Sequence, residues 1–239
     1  MLAHILNALW PSRCLSCNSS ISRPGLCPPC EGTLVPSADV SCSHCGNVFL
    51  DLPGPSQAYV CGPCLLSPPV YHQCRSAFAY GGALRDAIVR WKNEPRPDIG
   101  PILARLMLSH IDVSHWSDQD DAPIVVPVPT SFQRAMRRGF NPAGQLAQSI
   151  ARASNLECLP NGLMLRMHLQ STQGLTRDQR RKRTTLRFVA PSDVAGKNVL
   201  LVDDVRTTGR TISEASLALT KAHAKKVDIV VLAAVPDRS

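Results

Sequence analysis

VLLVDDVRTTGRT, residues 199–211, runs from four apolar residues directly into two adjacent aspartates and then into a turn of threonines around one glycine. The apolar run reads as a strand buried on both faces, and TISEASLALTKAHA, 211–224, reads as the helix after it, with Ile212, Ala215, Leu219 and Ala222 on one stripe. A turn of this kind at a helix N-terminus is a phosphate site: the backbone N–H groups of Thr207, Thr208, Gly209, Arg210 and Thr211 and the threonine hydroxyls supply the donors. The helix dipole alone is worth about 0.3 to 2 kcal/mol, so amides and hydroxyls must do most of the holding. Asp203 and Asp204 would oppose a phosphate if they faced it. They suit the vicinal hydroxyls of a sugar, or Mg²⁺ approached through water. A ligand with phosphate, diol and metal-binding group is a phosphorylated ribose.

The same reading extends through the C-terminal two thirds. APIVVPVP (122–129), KNVLLV (197–202) and KVDIVVLAAV (226–235) are short, largely apolar strands of the buried type, while GALRDAIVRWK (82–92), PILARLMLSHI (101–111) and PAGQLAQSIARA (142–153) carry apolar residues at helical spacing. Strands buried on both faces and alternating with helices predict an α/β fold with a parallel sheet covered on both sides, whose ligands collect at the carboxyl ends of the strands. An apolar strand ending in aspartates also suggests a Walker B element, but no G-x-x-x-x-G-K-[ST] occurs anywhere in the chain, which argues against a P-loop ATPase.

The first third is a different material. Nine of the ten cysteines lie within residues 1–74, and ten of the twenty prolines within residues 1–69. The composition shift predicts two units, residues 1–70 and 75–239, joined by LLSPPVYHQ. Eight cysteines form four CxxC pairs, a spacing that holds two thiolates along one edge of a metal tetrahedron. Neighbouring pairs give one site from Cys14, Cys17, Cys27 and Cys30, and a second from Cys42, Cys45, Cys61 and Cys64. Zinc is the expected metal, with an iron–sulfur cluster as the alternative. Four thiolates leave no open position, so the sites are structural, and metal binding can supply on the order of 10 kcal/mol of folding free energy per site. His44, inside a knuckle, is expected to face solvent, and Cys74 and Cys158 to be small buried hydrophobes.

The net charge of +8 and pI near 9.2 suit a polyanion, either nucleic acid or a small molecule with several phosphates. MLAHILNALWP, 1–11, is too short and lacks the basic lead of a signal peptide, and no run approaches a membrane span; the expectation is a soluble, cytoplasmic protein.

VLLVDDVRTTGRT resembles the ribose-phosphate motif of type I phosphoribosyltransferases. The order of CxxC pairs, AFAYGGALRDAIVRWK, VVPVPTSFQRAMRRGFNPA and then this motif resembles the ComF family of competence-related, phosphoribosyltransferase-like proteins over nearly the whole chain. The resemblance implies a type I phosphoribosyltransferase-like sheet behind a double zinc ribbon. It implies that Asp203 and Asp204 bind the ribose hydroxyls of phosphoribosyl pyrophosphate (PRPP), supplied with Mg²⁺, and that residues 207–211 bind its 5′-phosphate. Val128, in VPVP (126–129), falls where such enzymes place the pyrophosphate loop. Arg134 and Arg138, in R-x-x-x-R-G-F-N, suit pyrophosphate because guanidinium forks bind phosphate oxygens bidentately. TQGLTRDQRRKRTTLRF, 172–188, resembles the mobile loop that closes over the site, with Arg177 and Arg180 at its usually basic positions. Ser131, Pro142, Arg183 and Arg206 depart from the family pattern; Arg206 stands where an apolar residue is common.

Any chemistry implied is displacement of pyrophosphate at the anomeric carbon of Mg²⁺-bound PRPP, with cations drawing off the leaving group and loop closure excluding water. The second reading is a non-enzymatic accessory in which the zinc ribbons and the basic loop grip single-stranded DNA. An aromatic content of 5% argues against an extensive base-stacking platform.

Overall fold

Two apolar strands, KNVLLV and KVDIVVLAAV, form the centre of the sheet. The computed structural model describes residues 12–38, 40–50, 59–113, 116, 121–166 and 187–237. In the Cys-rich segment β1 (Ser12–Arg13) and β2 (Ser20–Ile21) pair antiparallel, and two short helices follow, α1 (Pro28–Glu31) and α2 (Gly62–Leu66). Each of these helices starts directly after a cysteine, Cys27 or Cys61, with proline in the first turn, where its missing N–H costs nothing.

The sheet domain contributes β3 (Gln73–Ala79), α3 (Gly82–Asn93), α4 (Ile99–Leu108), β4 (Ile124–Pro127), α5 (Phe132–Arg138), α6 (Pro142–Ala153), β5 (Met164–Leu165), β6 (Phe188–Val189), β7 (Asn198–Arg206), α7 (Arg210–Lys221) and β8 (Lys226–Ala234). Strands β3, β8, β7 and β4 lie in that order, every pair parallel. Residues of β7 alternate between the faces: Val199 and Leu201 pack with Ile212, Ala215 and Leu219 of α7, whereas Leu200 and Val202 pack with Leu84, Leu103 and Leu146 of α3, α4 and α6. The α/β class and the parallel sheet are therefore those expected.

Three elements differ from expectation. QCRSAFA forms β3, although Gln73 and Arg75 interrupt its apolar pattern; an edge strand needs only one fully buried flank, here supplied by β8. FQRAMRR forms the helix α5 in a segment where no element is expected from the sequence. Strand β7 runs through both aspartates to Arg206, because β8 continues beside it as far as Ala234.

The outer edge of β3 is covered by the connector between the two cysteine sites. Ser37 N–H donates to Ala77 O at 3.1 Å and Ala79 N–H donates to Val35 O at 2.8 Å, with Pro36 and Phe78 bridged antiparallel. The fully buried Ser37 hydroxyl adds a contact to Ser76 Oγ at 2.8 Å. Among the described residues no helix is long and apolar enough to cross a membrane.

Candidate functional site

Asp203 and Asp204 sit half-buried at the carboxyl end of β7 and, as neighbours on a strand, address opposite faces of the sheet. Asp204 pairs with Lys92 Nζ at 2.9 Å, at the C-terminal end of α3. Asp203 accepts a hydrogen bond from the Asp204 N–H at 2.8 Å. Burial, and then the charge of Asp204, push the Asp203 pKa up to about 8, against weaker pulls from Lys92 and Arg187. A carboxylate held protonated in this way is relieved by a cation or by hydroxyl donors. Its oxygens are the hard ligands that Mg²⁺ prefers, so the pair fits that cation.

The turn 207–211 follows at once. Thr207, Thr208 and Arg210 are exposed, and Gly209 stands at the N-cap of α7 with φ +76°, a left-handed conformation that side chains other than glycine rarely adopt. The Arg210 side chain turns away to Glu214, Nε to Oε1 2.7 Å, one helical turn on. The first amides of the helix thus lie at the strand end, beside the acids.

The R-G-F-N motif ties three elements together at this end. Arg138 Nε donates to the Lys92 carbonyl at 2.9 Å; burial disfavours its charge while Asp204 supports it. Phe140 stacks on the fully buried Trp91 of α3, with centroids 6.1 Å apart and planes at 21°. Asn141, at the N-cap of α6, donates its side-chain amide to Val128 O at 3.0 Å, and Val128 N–H is committed to Val202 O at 2.9 Å. Val128 is therefore held from both sides. Arg134 is exposed on α5, four residues before Arg138 and on the same face. Lys92 and Asn141 were not assigned site roles from sequence. Lys92 closes an amphipathic helix within a recognised motif, so its position was visible and only its partner was not.

The eight cysteines assemble as the spacing suggests: within Cys14, Cys17, Cys27 and Cys30, and within Cys42, Cys45, Cys61 and Cys64, all sulfur atoms lie within 4.8 Å of one another. Backbone N–H groups support a thiolate in each site, Cys27 to Cys14 Sγ at 3.3 Å and Cys61 to Cys42 Sγ at 3.4 Å. The Ser19 hydroxyl brings Cys17 down to about 6, while Cys27 pushes Cys30 up to about 12; four thiols this close do not all ionise without a cation. Both donor sets fit zinc, which when bound closes a four-thiolate tetrahedron and has a structural role. His44 is exposed and Cys74 is fully buried, both as expected, while Cys158 is half-buried with its thiol pKa raised by burial.

The second cysteine site lies next to the turn 207–211. A cleft of about 780 Å³ separates them, lined by Cys45, Cys61 and Cys64 on one side and Thr207, Thr208 and Gly209 on the other. The MLAHILNALWP stretch and residues 172–186, with Arg177, Arg180 and Arg183, lie outside the described residues.

Strand-end acids, an amide turn at a helix start and a parallel sheet define a phosphoribosyl transferase-type domain. In agreement, the phosphoribosyl transferase domain family matches residues 119–239, and the double zinc ribbon domain family matches residues 5–65. Competence protein F of Haemophilus influenzae is 30% identical over 225 residues, covering 91% of this chain and 94% of that protein. DNA utilization protein YhgH of Salmonella typhimurium is 30% identical over 92% of this chain and 95% of its own length. Competence protein ComFC of Streptococcus pneumoniae is 26% identical, with 84% of each chain covered. The chain belongs to the ComF family.

Proposed function

We propose that the protein binds PRPP with Mg²⁺ at the carboxyl end of β7 and transfers its phosphoribosyl group to an acceptor with release of pyrophosphate. The observation that carries this is the placement, on one strand end, of a half-buried acid pair and an exposed amide turn. In this reading Asp203 and Asp204 take the ribose hydroxyls and hold Mg²⁺, and residues 207–211 take the 5′-phosphate. Val128, Arg134 and Arg138 face the pyrophosphate, and Arg177 and Arg180 close over it. Mg²⁺, when bound, neutralises charge on the leaving pyrophosphate. Lys92 keeps Asp204 ionised and oriented, and Asn141 fixes the Val128 loop. The chain divides, on this proposal, into a ribbon module over residues 1–70 and a transferase domain over 75–239, and works in the cytoplasm. Calorimetry with Mg-PRPP tests the assignment: wild type binds, and Asp203→Asn/Asp204→Asn does not. Undiminished binding by the double variant refutes it.

A second reading is favoured by the names of the relatives, competence protein F and DNA utilization protein, together with the net charge of +8. Here the protein handles single-stranded DNA during uptake. Fluorescence anisotropy with a labelled single strand then shows affinity falling steeply with salt, by about 0.7 in log–log slope for each phosphate contacted. A salt-independent affinity rules this out.

A further inference from the structure

Arg206 is the residue at which the phosphate turn and the second cysteine site meet. The residue is only 8% exposed, yet among the described residues no carboxylate lies within ion-pair distance of it. Burying a guanidinium without a counter-charge is costly. Its Nη1 donates to Asn47 Oδ1 at 2.8 Å, and Asn47 in turn donates to Asp237 Oδ2 at 2.7 Å. Asn47 stands two residues after the ligand Cys45, and both Arg206 and Cys45 line the cleft between the two sites. Four thiolates around a divalent cation carry two net negative charges, so the loaded site supplies the counter-charge that the carboxylates do not.

The other side of the guanidinium supports the turn. A Cβ on Gly209 would come within 3.1 Å of Arg206 Nη2 and 3.3 Å of its Nε, so the turn is seated directly on this side chain. The Arg206 carbonyl accepts from Val235 N–H at 2.8 Å, which fixes the backbone from which the turn departs.

We propose that Arg206 is a positioning residue that couples the second cysteine site to residues 207–211, so that metal bound by Cys42, Cys45, Cys61 and Cys64 sets the geometry of the phosphate turn. Coupling of this kind is reciprocal: a ligand that orders the turn also tightens the binding of the second metal. The inference rests on the phosphopentose reading only for what the turn holds. The coupling itself concerns the turn and the metal.

The test uses the full zinc-loaded chain and two variants, Arg206→Met and the milder Asn47→Ala, which keeps the buried charge. Hydrogen exchange of the Ser213 amide, which donates to Gly209 O at 3.0 Å and so reports on the turn, and transfer of zinc to a chromogenic chelator are followed, with Cys17→Ser as the variant that disables the first site. Loss of a hydrogen bond to a charged group predicts about tenfold faster exchange of the turn in both variants, with one of the two zinc ions released about tenfold faster. Cys17→Ser loses one zinc and leaves the turn as in wild type. Wild-type exchange of the Ser213 amide in both variants, or equal loosening of the turn by Cys17→Ser, overturns the proposal. Neither readout uses PRPP, so a wild-type protein that fails to bind Mg-PRPP defeats the ligand assignment without touching this one.

Discussion

The two cysteine sites have the same ligands and the same local design, but they lean on different parts of the sheet domain. The first is partly open, with Cys17 exposed and Cys30 half-buried. It rests on α3: Arg90 Nη1 donates to Cys14 O at 3.1 Å, Ser16 Oγ meets Asp86 Oδ2 at 3.2 Å, and Leu15 joins the core with Leu84 and Ile88. The second is buried at all four cysteines and docks on the strand ends. Cys74 N–H donates to His44 O at 2.8 Å, and Val48 packs with Ala79 and Ala234 at the ends of β3 and β8. Gly46, with φ +66°, passes so close that a Cβ would lie 2.7 Å from the Cys74 carbonyl. The first site therefore supports the helix that carries Lys92 to Asp204, and the second supports the turn after Arg206. Identical metal chemistry supports the acid pair in one case and the turn 207–211 in the other.

The largest contrast is between Cys61→Ser and Cys17→Ser. A structural zinc site supplies on the order of 10 kcal/mol, so Cys61→Ser should unfold the second ribbon and weaken Mg-PRPP, measured by calorimetry, by at least about tenfold. Cys17→Ser also loses a zinc but loosens α3 and not the turn, so it should weaken Mg-PRPP less than Cys61→Ser does; an equal loss in both erases the distinction drawn here. Next in size, Trp91→Ala removes the indole that carries Phe140 and donates to Gln145 Oε1 at 2.9 Å. It should cost about 3 to 5 kcal/mol in urea unfolding while the second site still holds zinc against a chelator. Arg90→Ala should cost about 1 kcal/mol and hasten zinc loss from the first site alone. If the second zinc leaves faster instead, the assignment of anchors is reversed.

The smallest effect is one of pH, and it concerns Asp203, which lies between the two supports. Its pKa is raised by folding, to about 8. A raised acid stabilises the fold fully below its unfolded pKa of about 4, and that contribution is lost as pH rises through the folded value. Asp203→Asn should therefore gain stability relative to wild type between pH 6 and pH 8.5, measured by urea unfolding with zinc present. Mg-PRPP, which needs the ionised form, should bind wild type more tightly over the same interval. A parallel pH dependence in variant and wild type would show that Asp203 titrates near its ordinary value.

Local chemistry was legible in the sequence and distant partnership was not. The strand–acid–turn–helix order of 199–224 and the cysteine pairs are self-contained signals, because the residues that act together are adjacent or share a short period. Strand β3 was hidden because Gln73, Arg75 and Ser76 break the apolar run, and what makes it a strand is Val230 and Ala233 on β8, far along the chain. Arg206 could be noticed as a departure from a family pattern, but its meaning lies in Asn47, 159 residues away. Likewise Lys92 is one cation among 26 until Asp204 stands opposite it.

The connector at Val35–Ser37 has a consequence for how the protein fails. It occupies the hydrogen-bonding edge of β3 at Ala77 and Ala79, where an open edge would recruit strands from other molecules. Cells starved of metal, or a chain expressed without its ribbons, would bare that edge before the sheet itself melts. The damage should then be seen in the centrifuge pellet, as protein lost to self-association while its helices are still intact.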